Sequence, residues 1–290
     1  MQFEFPQNIS SDFGGYDTLV DLSNKISDIY FEDIPLDFSK TKWFDANLTA
    51  VLGAILSGSQ DMLNDIKIKG VSEKIKVLLS RNHFLSHFGG LKIPDYYDTT
   101  IKYRKFKITE GKLFEDYLDS ELLSKEAMPD MSVLLRKKIN KSILEIFQNA
   151  VIHGHCNNIF SCGQYFRTKK RLDFTIVDLG KTIKTNVTEY VKNDLSGEDA
   201  IKWAVAEGNT TKCGQIPGGL GLSLICEFLR KNSGKIQIVS ANGYWEQKSD
   251  NESSNVFSSS FPGTIVNLEF NIADQCHYCL SSEIDGDNIF

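Results

Sequence analysis

The chain has no uninterrupted apolar run of the roughly 20 residues that a membrane-spanning helix needs, which excludes a helical membrane protein. It also lacks a basic N-terminal segment followed by an apolar core. Its first residues, Met1-Gln2-Phe3-Glu4-Phe5-Pro6, do not read as a secretory signal, and a cytoplasmic location is the expectation. Metal-ligand spacing is equally scarce. The six cysteines (Cys156, Cys162, Cys213, Cys226, Cys276 and Cys279) include a single close pair, Cys276-His277-Tyr278-Cys279, with no second C-x-x-C to complete a zinc site. Reduced thiols are expected in a cytosolic setting. An excess of positive charge is missing too. The net charge of −6 argues against a non-specific nucleic-acid surface, and Lys102 to Lys107 and Arg136 to Lys141 read as solvated faces of a strand and a helix. Internal repeats are absent, and the one polar tract, Ser249 to Ser260, reads as a loop.

What is present describes a globular protein: 290 residues, 41% hydrophobic and 24% charged, enough for two domains with their own cores. The first third alternates strands and helices. Ile34 to Phe38 reads as a short buried strand, and Leu48 to Leu56 as a helix packed on a sheet. Asp65 to Val71 alternates with period two, as a half-buried strand does. Ser72-Glu73 then opens an amphipathic helix with Ile75, Val77, Leu78 and Leu79 on or near its inner face. Gly89-Gly90 followed by Pro94 marks a break. The expected organisation is a small α/β domain over residues 1–92, a joining strand and helix over 93–131, an α+β sandwich with a mixed sheet over 132–274, and a tail over 275–290.

Four pieces of the second half carry chemistry. Glu145 and Asn149 stand four apart on a helix otherwise rich in apolar residues, so both point from one face. An Asn oxygen suits Mg²⁺, and a Glu suits activation of a water or hydroxyl. A solvated polar face is the plainer alternative. His153, one turn further, can reach a phosphate or cap the helix end beside Gly154. Asp178-Leu179-Gly180 follows the strand Leu172 to Val177 directly. A carboxylate there can accept a hydrogen bond from the exocyclic amine of adenine, and Gly180 lets a flat base approach the backbone. An ordinary Asp-x-Gly turn reads the same way.

The third piece is a polar stretch containing Thr210, Thr211 and Lys212, then Pro217-Gly218-Gly219-Leu220-Gly221-Leu222 entering a helix. Glycines there free backbone N–H groups for phosphates, and the two threonines and the lysine can close over them. The fourth is Gly263-Thr264 at a strand start, whose hydroxyl can share a water with Asp178 and the base. Two familiar motifs fail. A P-loop would need glycine where Thr175 stands, and the dinucleotide fingerprint would need glycine where Leu224 stands.

In this order the pieces resemble the GHKL ATPases (gyrase, chaperone, histidine kinase, MutL) over about Ser132 to Ile272. The resemblance implies the following roles. Glu145 would be the general base and Asn149 the Mg²⁺ ligand. Asp178 would recognise adenine with Gly180 beneath the base and Thr264 in the same network, and Gly219 and Gly221 would bind phosphate. The family often shows D-x-G-x-G, and Thr182 replaces its second glycine here.

Leu36 to Lys40 with Phe44 to Leu52 looks like a STAS domain, the anti-sigma-factor antagonist module. Where phosphorylatable members carry a serine after the aspartate, Ala46 and Asn47 stand instead. The combined expectation is a Mg-dependent ATP-binding regulator whose ATP or ADP state controls a protein partner, with no membrane and no nucleic acid. An anti-sigma-type protein-serine kinase acting on a separate substrate and a non-hydrolysing nucleotide-binding scaffold are the alternatives.

Overall fold

A computed structural model describes residues 2–206, 208–209 and 220–283, with Leu220 and Gly221 described by their backbone alone. The N-terminal third contains β1 (Phe3–Glu4), β2 (Asn8–Ile9), α1 (Phe13–Ile26), β3 (Asp33–Asp37), β4 (Trp43–Phe44), α2 (Thr49–Asp61), β5 (Asp65–Lys69) and α3 (Glu73–Arg81). Then come β6 (Thr100–Lys107), α4 (Gly111–Tyr117), α5 (Val133–Asn149), β7 (Asn158–Phe166), β8 (Arg171–Asp178), α6 (Ile183–Val191), α7 (Gly197–Val205), α8 (Leu220–Lys231), β9 (Lys235–Lys248) and β10 (Asn251–Asn271). No helix among the described residues is long and apolar enough to cross a membrane.

The early strands form a small parallel sheet of order β1-β3-β5 and a parallel pair β2-β4. In α3, Ile75 and Leu79 are buried one turn apart. Val77 instead faces outward, because a 3.6-residue period can bury only one stripe of so short a helix.

The second sheet has the order β6-β7-β8-β10-β9, and every pairing in it is antiparallel. The expected mixed sheet is therefore corrected to an antiparallel one. The expected loop at Ser249 to Ser260 is corrected as well. From Asn251 it forms the first part of β10, paired with β9 from Asn251 opposite Lys248 and broken by register shifts before Thr264. Its residues are polar because both sides of the strand are largely open to water, with Phe257 the buried exception. The pairing backbone and a few anchors hold it, among them Phe257 stacked on Phe13 and the Ser260 carbonyl accepting from Asn24.

The five-stranded sheet is buried on both faces, and strand alternation sends successive residues of β8 to opposite sides. Leu172, Phe174 and Ile176 join the core under α5 and α8. Val177 joins the other core together with Leu19, Val51, Leu52 and Ile55 of α1 and α2. The core of the N-terminal third is thus continuous with one face of this sheet.

That second face carries a polar stripe, fully covered. Asn47 donates to Ser11, Thr175 and Asn267 at 2.9, 3.0 and 3.2 Å. Gln164 accepts from the Ala46 N–H, and Gln237 donates to the Ser11 carbonyl. At the stripe's end Arg171 pairs with Asp45 and Glu269, with its Nη2 also 3.2 Å from Asp173. Neither Asp173 oxygen accepts a hydrogen bond among the described residues. Burial, opposed by Arg171, holds that carboxyl well above the usual range.

Candidate functional site

Helix α5 brings the first pair of side chains to the site. Ser132 caps it, its Oγ accepting from the Leu135 N–H at 3.1 Å, and the buried stripe Leu135, Ile139, Ile143 and Ile146 seats it on the sheet. Glu145 and Asn149 stand beside that stripe, facing a cavity. Beyond Asn149 the helix widens into a π-helical turn, Ala150–Gly154, that ends at His155 in the left-handed region (φ 50°). His153 lies in this turn and also lines the cavity, while its carbonyl accepts from Asn186.

The turn is locked to the end of β8. A Cβ on Gly154 would lie 3.1 Å from Asp178 Oδ1, and one on Gly180 would lie only 2.1 Å from the Gly154 carbonyl oxygen. The Lys181 N–H donates to that same oxygen at 2.5 Å. Glycine at 180 thus permits a backbone-to-backbone approach, and Gly180 is not among the residues lining the cavity. Thr182, where the family motif has a second glycine, caps α6 by accepting from the Thr185 N–H.

Asp178 and Thr264 are paired across β8 and β10, so their side chains share one face of the sheet. Between them and α5 lies a cavity of about 150 Å³, several times the ~30 Å³ share of one water. Ile146, Ile176, Ile238 and Val266 make its walls apolar. The polar groups Glu145, Asn149, His153, Asp178 and Thr264 converge on it, as does Leu222 of α8. A mostly apolar hollow with a few placed polar groups is what a small-molecule site requires.

Two polar atoms in it are unusual. Asp178 is only 6% exposed, and its Oδ1 accepts no hydrogen bond among the described residues. Burial pushes this carboxyl up to about 7. Asn149 Oδ1 is likewise buried without a donor among those residues. Buried acceptors of this kind normally find partners, and here both belong to residues that line a cavity. Thr264 Oγ1 lies 3.1 Å from Ser240 Oγ, which donates to the Gly263 carbonyl and accepts from the Ile183 N–H.

Six of the sequence candidates are therefore together: Glu145, Asn149, His153, Asp178, Leu222 and Thr264. Leu220 and Gly221 open α8. Thr210, Thr211, Lys212, Gly218 and Gly219 lie outside the described residues. The sequence reading missed Lys181, Asn186 and Trp203, which also line the cavity, as does Asn209 of the polar stretch Gly208 to Lys212. The signals for them were weak: Asn186 follows a helix-capping threonine by four residues, and Trp203 sits on an amphipathic helix.

No protein-family model matches the chain, and no curated protein matches it.

Proposed function

We propose that the chain is a Mg-ATP-binding regulatory protein of the GHKL type, an ATPase whose nucleotide state controls a partner protein. One observation carries this reading: the buried Oδ1 of Asp178, which accepts no hydrogen bond among the described residues, belongs to a residue opposite Thr264 in an apolar cavity that Glu145 and Asn149 also line. A buried acceptor selects a ligand that donates. The exocyclic amine of adenine supplies the N–H that Asp178 lacks. Guanine would present a carbonyl there and leave two acceptors facing each other, a penalty of roughly 1–3 kcal/mol or more. Thr264 adds a hydroxyl on the neighbouring strand that can donate or accept.

The Asn149 Oδ1 atom fits a divalent cation, being a hard oxygen without a donor among the described residues. Bound there, Mg²⁺ would offset phosphate charge during transfer of the terminal phosphoryl group. Glu145, one helical turn from Asn149, would orient the attacking water and accept its proton. The architecture supports the same reading in part, since helices α5 and α8 cover one face of the sheet and the cavity opens between α5 and the strands.

The parallel β1-β3-β5 sheet with α2 is compatible with a STAS-like module. Its position 47 is fully buried and hydrogen-bonded within the fold, so an acceptor for a phosphoryl group there is disfavoured. The controlled partner is then a separate protein.

Phosphate release in the presence of Mg²⁺ tests the reading. Turnover that needs Mg²⁺ and disappears in Glu145→Ala, with ATP binding retained, supports it. Absence of ATP binding by the wild-type protein overturns it.

A further inference from the structure

The two residues flanking Asp178 do not face the cavity. Val177 is fully buried in the core of the N-terminal third, and Leu179 packs against that same core. The neighbours of Thr264 behave in the same way. Ile265 is buried in the N-terminal core, and a Cβ on Gly263 would lie 2.0 Å from the Asp178 carbonyl oxygen. Along both strands, residues reading the cavity alternate with residues gripped from the opposite side. Leu179 is the last point of that grip. It meets helix α2 at Gly58, where an added Cβ would lie 3.2 Å from Leu179 Cδ1 and would touch nothing else within 4 Å. A side chain of α2 is tied to the sheet nearby, where Lys105 Nζ donates to Ser57 Oγ at 2.7 Å.

We propose that Leu179 is a positioning residue through which helix α2 of the N-terminal third holds Asp178 in its dry, ligand-reading place. The inference rests on the nucleotide-site reading and adds its regulation. A partner that shifts α2 changes adenine affinity without entering the cavity. Asp178 is the last residue of β8, held between Val177 on the strand and Leu179 just past its end, so it moves with them. Gly58 provides the space Leu179 occupies.

Two variants test this in the full-length protein. Leu179→Ala removes the contact with α2 and loosens the chain at Asp178, so that its carboxyl shifts toward water. The Asp178 carboxyl, followed by carbon-13 NMR, should then titrate about one unit lower, toward the ordinary carboxylate range. Affinity for ATP should fall about tenfold, and the preference for ATP over GTP should narrow by a similar factor. Leu179→Met keeps the length and should restore both. Gly58→Ala favours the helix yet displaces Leu179, so it should move the same two readouts in the same direction while thermal stability holds or rises.

An unchanged Asp178 titration and an unchanged ATP-to-GTP ratio in the folded variants would overturn the proposal. If Leu179→Ala does not fold, Gly58→Ala decides alone. If wild-type protein binds no nucleotide, the functional reading fails, and the Asp178 titration in these variants still decides this one.

Discussion

Asp178 at the end of β8 and Thr264 on β10 face the same cavity as direct cross-strand partners, with Asp178 Oδ1 buried and accepting no hydrogen bond among the described residues. That pairing sets a conflict between stability and recognition. A carboxylate kept from water weakens the fold when ionised, yet it is the acceptor an adenine amine requires. The expectations below follow from it.

Nucleotide affinity should rise with pH between about 6 and 8. The free carboxyl is pushed up to about 7 by burial. An N–H donor stabilises the ionised form, so binding is linked to loss of a proton, and affinity climbs up to tenfold per unit below that value before levelling off above it. Glu145, His153 and Lys181 line the same cavity and share its field. Calorimetry at several pH values checks the slope. A flat profile would remove Asp178 from the adenine contact.

Stability of the ligand-free protein should run the other way. Because the folded carboxyl holds its proton more tightly than the unfolded one, its contribution is fully favourable below about 4 and is lost as pH rises through about 7. The full difference is on the order of 4 kcal/mol. Asp178→Asn removes the charge, so its melting temperature at pH 8 should exceed that of wild type by several degrees, with the gap closing toward pH 5. Equal melting temperatures at pH 8 would mean that the carboxylate is solvated.

Glu145→Ala should leave ATP affinity within about twofold and reduce turnover by 10²-fold or more, the usual scale for a general base. Phosphate release and calorimetry on the same preparation separate the two effects. A parallel loss of binding would instead make Glu145 a binding residue.

Asn47→Ala should destabilise the whole chain by roughly 2–3 kcal/mol, because it strips partners from Ser11, Thr175 and Asn267 in a buried network. Denaturant unfolding should show one cooperative transition, since the N-terminal third and one sheet face share a core. A separate early transition for the N-terminal third would contradict that shared core.

That these residues line one cavity was legible in part, because each sits at a local signal. Asp178 ends an apolar strand, Glu145 and Asn149 share a helix face, and Thr264 follows a glycine. The covering of the sheet was not legible. Asp173 and Thr175 alternate with Leu172, Phe174 and Ile176, and alternate polar residues read as a solvent face. In the fold they are fully buried under the N-terminal third, satisfied in part by Asn47 and Arg171.

The hairpin end at Asn251 was hidden for a related reason. Its stability comes from backbone pairing with β9, which polar side chains do not announce. The π-helical turn after Asn149 was equally silent, because it is set by the docking of Gly154 onto Asp178 and Gly180 rather than by local propensity. In each case, contacts between residues far apart in the chain decided the outcome.

Calorimetric titration of a non-hydrolysable ATP analogue with Mg²⁺ into wild type and Asp178→Asn at pH 8 tests the central claim most directly. The account expects saturable one-site binding to wild type and at least tenfold weaker binding to Asp178→Asn, in a variant that is folded and no less stable. Equal affinity in the two proteins, or no binding to wild type, would contradict it.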